Sequence, residues 1–336
     1  MRSETLLRLN RLLPARLKFA AVLAADIVGM RHLIVRLDPI IACNLRCGMC
    51  YFSDEKFMPP GPVRRFSRED VERLADQFFP LAMQVHIGCG TEPTMFKGYS
   101  TLVPLARRHG VPFIGFTSNG QLLTAPHLRT MIEGGLNEIT LSTHGVHKET
   151  YERLMVGASW DTYHANLRML ADLKKELGTQ EPRIRINYTV NKSNLPELRE
   201  FFSRFDAYDI SVLQIRPMDN IGDTAYHWED LSGVVSMYRD IVAELTEQCR
   251  ARGIRLMAGD PDLLQNANTY ATVYETAVLR VLDPNVTWRE DFDFRAMSYR
   301  EYLKKSGYRR ELLSHLLRGG RSLARPNRFA SSRVLN

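Results

Sequence analysis

Cys43-Asn44-Leu45-Arg46-Cys47-Gly48-Met49-Cys50 gathers three of the chain's five cysteines into eight residues, at the spacing C-x3-C-x2-C. Thiols clustered this tightly in a reducing compartment serve metal binding rather than disulfide formation. A structural zinc site wants four ligands, usually as two paired knuckles. Neither a second C-x2-C nor a nearby histidine completes such a set. Three thiolates suit instead a [4Fe–4S] cluster with one iron left free of protein, since all-cysteine ligation needs a fourth. An iron without a protein ligand can bind a small molecule, so the loop points to chemistry. An atypical zinc site or a chance grouping is the alternative that the rest of the chain has to weigh against.

Outward from this loop the chain alternates strand and helix patterns. Strands are expected over 33–37, 85–87, 111–117, 138–142, 184–190 and 210–216, with a short seventh over 254–257. Between them lie helices opening at Ser67 and spanning 102–109, 127–133, 163–177, 196–205 and 234–252. Ser67 with Asp70 three residues on resembles a capping box. Strict alternation implies a parallel sheet with right-handed crossovers. Six clear strands are too few to close an eight-fold barrel. The fold class is therefore α/β, an open parallel sheet with N-terminal amphipathic helices and a C-terminal extension. The expected divisions are residues 1–30, 31–258 and 259–336, the last with an irregular stretch from Asp260, a terminal helix over 299–317 and a basic tail beginning at Gly319-Gly320. In such folds ligands sit at the carboxyl ends of the strands, which is where the cysteine loop falls.

The loop is similar to the C-x3-C-x-Φ-C motif of the radical S-adenosylmethionine (radical SAM) superfamily. Φ, usually aromatic, is Met49 here, and the aromatic is displaced to Tyr51. After the second strand, Gly88-Cys89-Gly90-Thr91-Glu92-Pro93 resembles that family's G-G-E-P turn, with Thr91 replacing the second glycine. The resemblance covers roughly residues 33–258 and implies an open partial (βα)6 TIM-like barrel, with which the count of six strands agrees, and one [4Fe–4S] cluster on Cys43, Cys47 and Cys50. It also implies S-adenosylmethionine bound through Gly90, Thr91, Glu92 and Pro93, with the turn's backbone receiving the methionine amino group. Asn119 after the third strand and Ser142 after the fourth match positions where the family places small polar groups. Arg153 matches an arginine that pairs with the carboxylate of S-adenosylmethionine in relatives, a contact suited to a planar guanidinium. His144 stands where an acid is common; with His147 it reads as a polar loop residue. On the fifth strand Asn187 shares a face with Arg185 and Thr189, and on the sixth Gln214 shares one with Arg216. Asn187 is expected to contact the cofactor, and Gln214 and Arg216 the substrate. Cys89 and Cys249 read as packed thiols.

The resemblance implies reductive cleavage of S-adenosylmethionine to a 5′-deoxyadenosyl radical that abstracts a substrate hydrogen. Cys50-Tyr51 and the layout of 135–216 most resemble the subgroup that modifies peptides and proteins. Members commonly carry SPASM or twitch extensions with auxiliary clusters, yet no cysteine lies beyond Cys249, so a second cluster cannot be ligated there. A lipid or membrane-linked substrate is the next reading. A lapsed relative that merely binds a cluster or a partner is the third. An electron donor of flavodoxin or ferredoxin type is the expected partner.

The net charge of +7 is uneven: residues 1–30 carry +3, residues 295–336 carry +9, and residues 31–294 carry −5. A mildly acidic body argues against nucleic acid lying across it. Leu6, Leu9, Leu13, Leu17 and Ala20 recur at helical spacing among Arg8, Arg11, Arg16 and Lys18, with Pro14 breaking the pattern into two helices. Asp26 ends the apolar run before any span of ~20 residues. The expected location is cytoplasmic. Residues 1–30 either lie on the inner membrane surface or, the favoured reading, pack on the main domain.

Overall fold

The computed structural model describes residues 14–54, 61–218, 231, 233–259 and 273–318. The first N-terminal helix expected before Pro14, the irregular stretch beginning at Asp260 and the basic tail after Gly319 lie outside the described residues.

Eight parallel strands form one sheet: β1 (Leu33–Leu37), β2 (Ala82–Ile87), β3 (Phe113–Ser118), β4 (Glu138–Thr143), β5 (Arg183–Val190), β6 (Ile210–Pro217), β7 (Arg255–Ala258) and β8 (Leu279–Leu282). Their spatial order is β7-β6-β5-β4-β3-β2-β1-β8, so the sheet is open, with β7 and β8 at its two edges. Helices α1 (Ala15–Val28), α2 (Arg68–Phe78), α3 (Leu102–Arg108), α4 (Ala125–Glu133), α5 (Lys148–Leu154), α6 (Trp160–Glu176), α7 (Phe201–Phe205), α8 (Val235–Arg252), α9 (Tyr299–Lys305) and α10 (Tyr308–Arg318) accompany it.

Alternation along each strand separates two faces. On β5, Ile184, Ile186, Tyr188 and Val190 are fully buried among the covering helices, whereas Arg185, Asn187 and Thr189 are half-buried on the other face. The capping box at α2 is present: Ser67 Oγ accepts from the Asp70 N–H, and Asp70 Oδ2 from the Ser67 N–H, each at 3.0 Å. It turns Val71, Leu74, Ala75 and Phe78 onto the core.

Three differences from the sequence reading have physical reasons. β8 was not expected. Its Leu-Arg-Val-Leu run hides an arginine at strand centre, yet it pairs with β1 and brings residues placed in the extension into the barrel sheet. Helix α5, seven residues without an apolar stripe, was also unread. The helix expected over 299–317 is split, because Gly307 takes a left-handed φ of 68° between α9 and α10. Asp26, which closes the apolar run, lies within its helix. It is buried inside α1, where its carboxylate accepts from Arg309 Nε of α10 at 2.7 Å. Phe19 of α1 stacks on His315 of α10, ring centres 4.7 Å apart. Residues 15–28 thus pack on the domain. No helix among the described residues is long and apolar enough to cross a membrane.

Candidate active site

The cysteine loop leaves the carboxyl end of β1 and is fastened from three sides. Glu92 N–H, in the turn after β2, donates to Ala42 O at 3.0 Å. Arg46 N–H donates to Val156 O at 2.9 Å and Gly48 N–H to Leu154 O at 3.2 Å, so the end of α5 anchors the middle of the loop. Asn119, after β3, donates from Nδ2 to Asn44 Oδ1 at 2.8 Å and to Cys43 Sγ at 3.8 Å. The Leu45 N–H adds a second donor to Cys43 Sγ at 3.4 Å.

Cys43, Cys47 and Cys50 are free, half-buried thiols. Burial pushes the Cys43 thiol up to about 11, with the Cys50 thiol nearby adding to the rise. Cys47 is pushed higher still by burial and its two neighbours, and burial also raises Cys50. Without a cation, three thiolates this close repel one another; iron supplies the missing charge. No three His, Cys, Asp or Glu side chains among the described residues converge tightly enough to hold a single metal ion.

The turn after β2 is built around Asp38, which the sequence reading passed over. The N–H groups of Cys89, Gly90 and Thr91 donate to Asp38 Oδ1 at 2.8, 3.1 and 3.3 Å, and Thr91 Oγ1 donates to it at 3.1 Å. Burial nevertheless raises the Asp38 carboxyl to about 6. Tyr51 OH donates to Gly90 O, so the displaced aromatic pins the turn to the cluster loop. Glu92 N–H is spent on Ala42, and Pro93 has no N–H. Residues 89–93 therefore keep no unspent backbone donor, and the carbonyls of Cys89 and Thr91 have no partner among the described residues. A backbone that offers acceptors alone fits an ammonium group. Gly88 makes the turn possible. Its φ is 79°, and a Cβ there would lie 2.4 Å from Thr117 O.

The Glu92 side chain faces inward and is 2% exposed. Its carboxylate accepts from Ser118 Oγ at 2.9 Å, the Asn119 N–H at 2.7 Å and the Thr94 N–H at 3.1 Å. Both oxygens are thus engaged in joining the β2 turn to the end of β3, and burial raises its pKa.

Ser142, Asn187 and Gln214 fall in one row across β4, β5 and β6. Asn187 Oδ1 is buried with no hydrogen-bond partner among the described residues, an acceptor awaiting a donor such as a ribose hydroxyl or an adenine amine. Gln214 Oε1 accepts from Arg185 Nη1 at 3.1 Å. Arg216 pairs in register with Thr189, one step nearer the carboxyl ends. Arg153 stands on the exposed side of α5 and donates to Ser193 Oγ at 3.2 Å. His144, in the loop after β4, is buried, and its Nδ1 accepts from the Thr189 N–H at 3.3 Å. Burial holds its pKa down near 4, so the ring is neutral. Cys249 is buried as expected, whereas Cys89 is exposed.

Fold and loop together define an open βα barrel with three thiols gathered at the carboxyl ends of its strands, a donor set that could hold an iron–sulfur cluster. Residues 38–179 match the Radical SAM superfamily, and the chain carries a radical SAM domain, whose cofactors are a [4Fe–4S] cluster and S-adenosylmethionine. Among characterised relatives, the tungsten-containing aldehyde ferredoxin oxidoreductase cofactor-modifying protein of Pyrococcus furiosus is 24% identical over 196 residues. The match covers 55% of this chain and 52% of the relative. A probable GTP 3′,8-cyclase of Saccharolobus islandicus is 22% identical over 227 residues, covering 66% of this chain and 68% of the relative. The chain thus spans about half the length of the first relative. Among solved structures, Streptococcus suis SuiB bound to S-adenosylmethionine superposes with TM-score 0.58 at 15% identity, over 76% of this chain and 59% of SuiB. The structure of anSMEcpe with bound AdoMet gives 0.58 at 16% identity, over 84% of this chain and 79% of that one. At these identities the likeness shows the fold.

Proposed function

We propose that the chain is a radical SAM enzyme that abstracts a hydrogen atom from a peptide or protein substrate. When bound, a [4Fe–4S] cluster on Cys43, Cys47 and Cys50 would supply the electron that cleaves S-adenosylmethionine to methionine and a 5′-deoxyadenosyl radical. The observation that carries the reading is the union of the three-thiol loop with the acceptor-only turn at Gly90 and Thr91, held together by Tyr51 and Asn119. The turn's carbonyls would take the methionine ammonium, and Asn187 Oδ1 a donor of the adenosine. Ser142 shares its row, and Arg153 is proposed for the methionine carboxylate. Asn119 and the Leu45 N–H direct donors at the Cys43 sulfur, a contact that tunes a cluster's potential.

The choice of a peptide rests on the layout of 135–216 and gains support from SuiB, solved with its precursor peptide SuiA, to which this chain superposes with TM-score 0.60. A reducing partner of flavodoxin or ferredoxin type supplies the electron in this reading, and a cytoplasmic location suits an oxygen-sensitive cluster. Anaerobic reconstitution with S-adenosylmethionine and dithionite should yield 5′-deoxyadenosine, measured by chromatography. A cluster-replete protein that forms none, beside a working control enzyme, would sink the proposal.

A further inference from the structure

Helix α1 is almost wholly apolar, yet only one side of it is covered. Its charged residues are Arg16, Lys18 and Asp26, and Asp26 is buried against Arg309 of α10. Phe19 and Val22 are buried on the same side. The stripe opposite them, Leu17, Ala21, Ala24 and Val28, is exposed, Val28 at 67%. A helix that is hydrophobic all round belongs inside a protein or a membrane. Nor does the start of α1 stabilise it. Pro14 supplies no side-chain cap, the first turn has no acid, and Arg16 and Lys18 there oppose the helix dipole.

α10 extends the exposed apolar surface. Phe19 stacks on His315 and Asp26 pairs with Arg309, so the two helices run antiparallel. At that register Leu317, 70% exposed, stands level with Leu17, and Leu313 level with Ala21. Leu17, Ile27, Val28, Met30, Leu313 and Leu317 are half of the twelve large apolar side chains exposed among the described residues. The other six come one each from six separate places in the chain and need no explanation. A concentration on one helix pair marks a surface that something covers.

Charge indicates the occupant. Residues 1–13 carry three arginines against one acid, and residues 319–336 four arginines and no acid, together six of the chain's net seven positive charges. Because the pair is antiparallel, both segments attach at the same end of it, beside Leu17 and Leu317. A second copy of the chain would bring the same positive charge against itself across a two-fold interface. A bilayer with anionic headgroups offers apolar depth for the stripe and opposite charge for the arginines. At about 21 Å for its 14 residues, α1 is too short to cross, since a span takes ~20 residues. It would lie in the surface.

We propose that the outer face of α1, with Leu313 and Leu317 of α10, docks the protein on an anionic lipid surface, the arginines of residues 1–13 and 319–336 holding it to the headgroups. This surface is separate from the cysteine loop, and the inference does not depend on which substrate the active site takes.

The test floats the full-length, cluster-replete protein with vesicles of phosphatidylcholine, alone or with about one-third phosphatidylglycerol, at low and high salt. Binding to the anionic vesicles should be about tenfold stronger than to the neutral ones and should weaken as salt is added. Leu17→Gln combined with Val28→Gln leaves the charge and the packed side of α1 intact and should lower binding roughly fivefold. Arg325→Gln, Arg328→Gln and Arg333→Gln together should lower it by a similar factor. Contact is read directly from Ala24→Trp, whose added emission should be quenched by bilayers with brominated acyl chains. Met237→Trp, on exposed α8, should escape quenching. Failure to bind either vesicle, equal binding to both, or binding indifferent to the changes at 17 and 28 would overturn the proposal. So would an Ala24→Trp emission untouched by brominated lipid, a result that needs no destabilising variant. A dimer seen by sedimentation without vesicles, and dissociated by the changes at 17 and 28, would overturn it too, because a second copy would then cover the face.

Discussion

Asp38 begins where β1 ends, and its carboxylate gathers three backbone N–H groups and a hydroxyl from a turn more than fifty residues away. Those bonds favour the charged form, yet burial outweighs them and the folded pKa rises from 3.8 to about 6. The sign follows by linkage. A carboxyl that holds its proton more tightly in the folded state contributes stability below its unfolded pKa, and that contribution is lost as pH rises through about 6. At pH 7.5 the ionised group costs up to roughly 3 kcal/mol relative to pH 4. Asp38→Asn removes the titration while Glu92 and His86, which also titrate differently on folding, stay the same in both proteins. The stability of wild type minus that of Asp38→Asn, taken from denaturant midpoints of the apoprotein, should therefore fall by about that amount between pH 4 and 7.5. A difference flat across that range would show that Asp38 does not carry the charge burden assigned to it.

The β2 turn is one element built from two motifs, and it shows what a sequence makes legible. The strands β1 to β6 announce themselves as branched or aromatic runs punctuated by turns and helices, and the cysteine loop by chemistry that few other functions need. Asn187 and Gln214 could be picked out by alternation and Ser142 by its likeness to the family's motif, and register aligns the three in one row. Asp38 was not legible, because a lone aspartate after a strand looks like any turn residue until the donors that converge on it are known. Nor was the anchoring role of the end of α5, where Leu154 and, just past the helix, Val156 bind the loop through backbone carbonyls that any residue supplies. β8 was hidden for a third reason: the hydroxyl partners of its arginine, Tyr299 and Tyr308, lie 19 and 28 residues downstream. Gly88 was legible as a glycine, but not as a necessity. Gly88→Ala would force a Cβ to 2.4 Å from Thr117 O and 2.5 Å from Pro93 Cγ at a left-handed φ. We expect it to cost roughly 2–4 kcal/mol and to displace Gly90 and Thr91. The measurement is binding of S-adenosylmethionine to the reconstituted protein by calorimetry, which should weaken at least tenfold while the cluster's visible absorbance persists. Wild-type affinity would mean that the turn tolerates the methyl and does not depend on its tight geometry.

At the scale of the whole molecule the two ends of the described chain meet on one edge of the sheet. α1 packs on α10 through Phe19, His315 and the Asp26–Arg309 pair, and α10 packs in turn on β8 through Arg280. That arginine is fully buried. Its Nε donates to Tyr299 OH at 3.0 Å, its Nη2 to Tyr308 OH at 2.7 Å and its Nη1 to Leu279 O at 2.8 Å, and the guanidinium lies 4.2 Å from the centre of the Trp288 ring. It joins strand, α9 and α10 at a single point, so it is the place to ask whether the carboxyl-terminal elements are a separate attachment or part of the barrel. Arg280→Met keeps the length of the side chain but removes every donor, leaving the Tyr299 hydroxyl without its arginine partner in the core. A destabilisation of about 2–4 kcal/mol is expected. Its distribution matters more than its size, because Leu282 O of β8 also accepts the Asp38 N–H at 2.9 Å. Loosening β8 should therefore reach the site through Asp38, while strands further along the sheet hold. In hydrogen exchange, peptides from 279–318 and 38–42 should lose protection together, and those from β4 and β5 should keep it. Uniform loss across all eight strands would instead make the barrel and its carboxyl-terminal helices one cooperative unit. Loss confined to 299–318 would mean that β8 holds its place without the arginine and that the site is insulated from the chain's end.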